Sequence, residues 1–288
     1  MGCGGGGGPK IEHRVTVGQD PSDVVAAFGS VWVINGDAVG RVDPDTNALA
    51  LNKFIPTDEA ADGIAAGGNA IWVACAVGGT VVIIDAKTNT RAGQVRVASR
   101  PTAVAYGEGA AWVGEAGADQ VQRIDPATRK VSPPIRVGLG PAGLAAGEGA
   151  VWVANQFQQT VSRIDPATRK VVATIKVGVQ PTDVAISEGS VWVSNSNSNS
   201  VSRIDPQTNK VIATIELEGN NASDIAAEDG EVWVSETDTQ SAAKIDPKKN
   251  KQVEEVKLQG DSPTDLAVGF GAVWLPIADS NFLIRLKP

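Results

Sequence analysis

Apolar and polar residues alternate in short runs along this chain, and the runs recur. Residues 151–190 read VWVANQFQQTVSRIDPATRKVVATIKVGVQPTDVAISEGS, and Val191 opens the next copy with VWVSNSNSNSVSRIDPQTNKVIATI. Each copy holds four alternating runs, with the period of two that gives a strand one apolar face. Turn signals separate them: GEG or EDG, an Asn-rich loop, DPxT and VGxxP. A self-similar unit of about forty residues carrying four strands predicts one blade of a β-propeller.

Seven tryptophans, at 32, 72, 112, 152, 192, 233 and 274, count the copies. Each sits in a VWV-like run, where large rings at one fixed strand position fill the space between blades. Stacking on a ligand is the competing reading, and the fixed register favours packing. In blade order, PTDVAIS is strand A beside the channel, VWVSN is B, SVSRID is C, and KVIATIE is D at the rim. Gly serves the A–B turn through positive φ, and Asp of DPxT caps its own C–D turn. The last copy stops after strand C, and IEHRVTVG at 11–18 matches the missing D strand. The sequence therefore predicts an all-β fold: a seven-bladed propeller with four antiparallel strands per blade. Its ring is closed by the N-terminal strand pairing into the C-terminal blade, which removes sheet edges. Residues 1–10 read as a Gly-rich leader and 11–288 as the propeller.

The pattern VWVANxxxxTVSRIDPxTxKVVATIxVGxxPxxVAxGEGxVWV resembles the YVTN-type seven-bladed propeller repeats, and closely the virginiamycin B lyase-like group, over residues 11–288. The resemblance implies the same fold. It leaves function open, since such repeats occur in bacterial surface lipoproteins, kinase ectodomains and streptogramin-opening lyases. For the lyases it implies a histidine base beside a magnesium ion held by glutamates at the channel mouth. The single histidine here, His13, belongs to the outermost N-terminal strand, so that base is missing. Glu115 and Glu236 match the acid three residues after Trp in such repeats.

Composition narrows the partners. The net charge of −8 argues against nucleic acid and against an anionic membrane surface. Two cysteines, Cys3 and Cys75, make neither a disulfide framework nor a zinc site. Cys3 followed by five glycines resembles the start of a mature bacterial lipoprotein, with Met1 and Gly2 standing in place of a removed signal. Lipidation at Cys3 implies an extracytoplasmic, membrane-anchored protein. A flexible leader on a secreted protein is the blander reading. Cys75 reads as a small buried residue.

Candidate chemistry lies where the copies differ. The D–A and B–C loops share the face around the channel mouth. Three residues after each Trp stand Asn35, Cys75, Glu115, Asn155, Asn195, Glu236 and Ile277. Asn35, Glu115, Asn155, Asn195 and Glu236, with Phe157 among amides, are the candidate ligand contacts, suited to a protein, peptide or carbohydrate. Nine residues before Trp stand Asp23, Asp183, Asp224 and Asp265 in the adjoining blades 1, 5, 6 and 7, against Gly63, Ala103 and Gly143 elsewhere. Crowded carboxylates repel unless a cation neutralises them, so these four are candidate ligands for Ca²⁺ or Mg²⁺. Loop aspartates that cap turns and meet solvent are the alternative. The sequence thus favours a non-enzymatic, monomeric, extracytoplasmic binding or scaffold propeller. A metal-dependent lyase or hydrolase in the acidic sector is the other reading.

Overall fold

The computed structural model describes residues 8–50, 54–57, 60–228 and 230–288, so Cys3 and its lipidation lie outside the described residues. Seven antiparallel sheets follow one another around a central channel. Blade 5 shows the plan: strand A at Pro181–Ser187, B at Ser190–Asn195, C at Ser200–Asp205 and D at Lys210–Glu216. The ring closes as the sequence predicts. Lys10–Thr16 pairs antiparallel with Phe282–Lys287 as the outer strand of blade 7, from Lys10 opposite Lys287 to Thr16 opposite Phe282. His13 is exposed on that strand.

Local chemistry explains the elements. Strands A and B join through two residues that both take positive φ, as at Glu188 (49°) and Gly189 (68°). That is the primed turn whose twist matches the flanking strands. In the C–D turn, Asp165 Oδ1 accepts from Ala167 N at 2.9 Å and Thr168 N at 2.8 Å. Asp43, Asp85, Asp125, Asp205 and Asp246 do the same in their blades. Blade 3 has only Ile135–Arg136 as a regular D strand, because Pro133 and Pro134 precede it and cannot donate to a ladder.

The core lies between blades rather than inside each. Trp32 packs with Ile64, Ile71 and Val73 of blade 2, and Trp233 with Leu275 and Ile284 of blade 7. Trp274 packs with Val24, Val31 and Val33 of blade 1, so the seam of the ring is filled like the other interfaces. All seven rings are at most 1% exposed. Five carry a cation from the strand C residue opposite, as Arg203 does over Trp192 at 4.7 Å and Arg163 over Trp152 at 5.2 Å. Cys75 is buried in the interface between blades 1 and 2.

Candidate functional site

Strand A is the inner edge of every blade, so the N–H groups that do not pair with strand B have no strand to accept them. At the start of this strand the ladder slips. Register shifts fall between Pro21 and Val24, Pro181 and Asp183, and Ala222 and Ile225. A bulge re-aims a side chain at a sheet edge. Asp23, Asp183 and Asp224 sit at these slips, and Asp265 occupies the same position in blade 7 just before its short strand Ala267–Gly269.

All four aspartates line one central cavity of about 500 Å³, bounded by the A strands of the seven blades. Three of the carboxylates reach the neighbouring blade. Ile64 N donates to Asp23 Oδ2 at 2.9 Å, Ile225 N to Asp183 Oδ2 at 3.2 Å, and Val24 N to Asp265 Oδ2 at 2.7 Å. Val24 N also donates to Asp23 Oδ1 at 2.7 Å, so two carboxyl groups meet over one donor. Asp224 differs: Ser235 Oγ donates to its Oδ2 at 3.2 Å. Asp183 is seated against Gly143, where a Cβ would collide with its carboxylate and its Cα. The glycine in blade 4 thus makes room for the acid in blade 5.

Among the described residues lining this cavity there is no Lys, Arg or His. The aspartates touch the lumen, but the protein around them strips most of their hydration. Burial first, then the charge of Asp224, pushes Asp183 up to about 8. Burial pushes Asp224 up to about 7 against the opposing hydrogen bond of Ser223. Asp265 is raised well above the usual carboxylate range by burial and then by Asp23, and Asp23 is itself raised by burial. Carboxyl groups in this state share protons at neutral pH.

The quartet expected from the sequence lines this one cavity. Among the described residues no three His, Cys, Asp or Glu side chains are placed to hold a metal ion. Glu115 and Glu236 do not supply one either. They belong to blades 3 and 6, too far round the ring to share an ion: Glu236 is bonded within its own blade, and Glu115 bonds Gln120 through Oε2 alone.

Five of the six expected ligand contacts are in fact buried latches. Asn155 Oδ1 accepts from Gly138 N at 3.1 Å, while its Nδ2 donates to Thr160 Oγ1 at 3.0 Å and Ser162 Oγ at 2.9 Å. Glu236 accepts from Gly219 N at 3.0 Å and Ser241 Oγ at 2.8 Å. Glu115 accepts from Gln120 Nε2 at 2.8 Å. Asn195 Nδ2 donates to Ser200 O and Ser202 Oγ, each at 3.1 Å, and Asn35 Nδ2 to Val33 O at 3.3 Å. Burial raises Glu115 and Glu236. These side chains sit where strand B ends and the D–A loop folds over it, so a ligand at the mouth meets that loop instead. Only Phe157 is open, at 72% exposure, with its ring over Gly140.

Two buried residues behind the channel wall are not among those the sequence points to. Ser194 and Ser235, two residues after Trp, bond the backbone or carboxylate of Asp183 and Asp224. Their signal is a polar residue where the other blades carry Ile34, Ala74, Gly114, Ala154 and Pro276.

The family profile described as Domain of unknown function (DUF5074) matches residues 61–221 and 156–274. No curated protein matches the chain in sequence. Among solved structures, a streptogramin B lyase is similar with TM-score 0.84 and 16% identity, over 97% of both chains. The virginiamycin B lyase from Staphylococcus aureus has TM-score 0.82 and 16% identity, over 97% of this chain and 99% of that one. The WD40 propeller domain of Doa1 has TM-score 0.81 and 11% identity, over 97% of both. At these identities the likeness establishes the seven-bladed fold and carries no activity.

Proposed function

The chain belongs to the DUF5074 family, and we propose that it is a non-catalytic binding propeller whose channel mouth receives a cationic group of its ligand. One observation carries this reading. The four aspartates, joined by Asp62 and Glu228, line a cavity whose described lining residues include no basic side chain. A ligand ammonium or guanidinium group supplies the missing positive charge and displaces shared protons as it enters. Exposed Phe157, on the loop face of blade 4, offers an apolar contact beyond the acidic sector.

The same geometry gives less support to a lyase or hydrolase. The one histidine is exposed on the outermost strand, and the buried cysteine has no histidine beside it. Kinship with YVTN-type repeats rests on the repeat pattern. Anchoring through Cys3 outside the cytoplasm fits a binding role and rests on the leader sequence.

Calorimetric titration with spermine and with a lysine-rich peptide tests the reading. Saturable binding at pH 8.5 that weakens at pH 6, and weakens in Asp224→Asn with Asp265→Asn, is the expected result. Absence of saturable heat at pH 8.5, or binding unchanged in the double variant, contradicts it.

A further inference from the structure

A second surface lies on the rim, away from the mouth. The D strands of blades 4, 5 and 6, at Lys170–Lys176, Lys210–Glu216 and Lys251–Lys257, pack side by side around the ring. Each begins with an exposed lysine followed two residues later by an exposed aliphatic side chain. Val172 is 55% exposed, Ile212 54% and Val253 47%. Each is the extra residue of a bulge near the start of its D strand, exposed two positions after its lysine, where solvent normally selects polar groups. The repeat itself does not demand them: the third residue of the D strand is Ala92 in blade 2 and Glu12 in blade 7. Three adjacent blades therefore present the same lysine and aliphatic pair in register.

The neighbouring turns add charge and rigidity. Arg169, Lys248 and Lys249 are exposed at the start of these strands. Arg163 Nη1 donates to Asn209 Oδ1 at 2.9 Å, and Arg203 Nη1 to Asn250 Oδ1 at 2.8 Å, so each turn is tied to the blade before it. The turn aspartates nearby, Asp165, Asp205 and Asp246, each commit Oδ1 to turn N–H groups, and Asp246 Oδ2 pairs with Lys249 Nζ at 2.8 Å, so Arg169 and Lys248 carry the added charge of these turns. Glu216 lies at the far end of its strand and Glu254 is half-buried.

We infer that this rim of blades 4 to 6 docks on an anionic phospholipid surface. The lysines face headgroup phosphates and Val172, Ile212 and Val253 enter the interfacial layer. Basic side chains beside exposed apolar ones are the combination that an anionic bilayer attracts, and lysine alone at a sheet edge serves only to deter edge pairing. The net charge of −8, which argues against a membrane for the chain taken as a whole, acts weakly on this contact, because the screening length confines each interaction to its own patch. The inference is independent of the reading of the channel mouth.

Flotation of the whole chain with vesicles tests it. At low salt the protein floats with phosphatidylcholine vesicles containing phosphatidylglycerol and stays behind with pure phosphatidylcholine. K170E with K210E and K251E weakens that binding at least about tenfold. V172S with I212S and V253S keeps the low-salt binding and loses the part that survives physiological salt. Equal flotation with both vesicles overturns the inference, as does undiminished binding by the charge-reversed variant. Binding to dextran sulfate without binding to vesicles overturns it too. Should the variants misfold, binding by the unmodified protein that fails to weaken as salt rises is decisive in the same direction.

Discussion

Two sets of aspartates recur in this ring, and they sit in opposite electrostatic worlds. The turn set, such as Asp165, lies at the outer end of strand C, and two backbone N–H groups hold its carboxylate below the ordinary value near 3.8. The channel set also accepts backbone N–H groups, yet burial and mutual repulsion outweigh them, and Asp183 rises to about 8. One hydrogen-bond type thus yields shifts of opposite sign, because hydration is kept in one place and removed in the other. The turn set caps a fold that every repeat needs. The channel set, confined to four adjoining blades, holds charge in a strained balance that a ligand can relieve.

The largest test of this contrast is the dependence of stability on pH. Asp183 and Asp224 keep protons in the folded state that the unfolded chain releases near 3.8, so stability falls as pH rises from about 4 to about 8. Thermal midpoints read from pH 5 to pH 9 should decline, and Asp183→Asn with Asp224→Asn should flatten that slope and raise the midpoint at pH 9. A next step fills the space that admits the acid. Gly143→Val drives a side chain into Asp183 and should cost about 1–3 kcal/mol by overpacking, read from denaturant midpoints. Removing a latch comes next: Glu236→Ala leaves Gly219 N without its acceptor, while Ser241 Oγ keeps Thr239 and Glu255 in reach, at about 1–3 kcal/mol. The smallest change is expected from Asp165→Asn. The lowered value of Asp165 gives stability that is present above pH 4 and lost as pH falls below it, so the variant should differ from the parent at pH 7 and converge with it under acid.

The architecture was legible because each copy writes the same instructions. The VWV run, the DPxT turn and the unmatched strand at 11–18 specify blade, turn and closure independently of one another. The channel quartet was legible for a related reason: a departure from a repeat is visible against its other copies. The latches were misread because alternation assigns a side chain to a face and says nothing of what covers that face. Gly138, which closes over Asn155, lies seventeen residues earlier in the chain, and its approach is a tertiary fact. Ser235 was passed over because its partner Asp224 reaches it only across the strand A bulge. The metal expectation weakened on geometry. Asp23, Asp183 and Asp265 lean toward the next blade's backbone and Asp224 toward Ser235 of its own blade, whereas a common cation would gather all four oxygens together.

The contrast between the two aspartate sets is measured most directly by carbon-detected NMR titration of aspartate carboxyl groups, with assignments from Asp183→Asn and Asp224→Asn. The account predicts that the turn carboxyls titrate below 3.8 while the resonances of Asp183 and Asp224 move near pH 8 and 7. Titration of all the aspartates below pH 5 would show the channel acids to be ordinary solvated carboxylates, and the cation-receiving mouth would lose its physical basis.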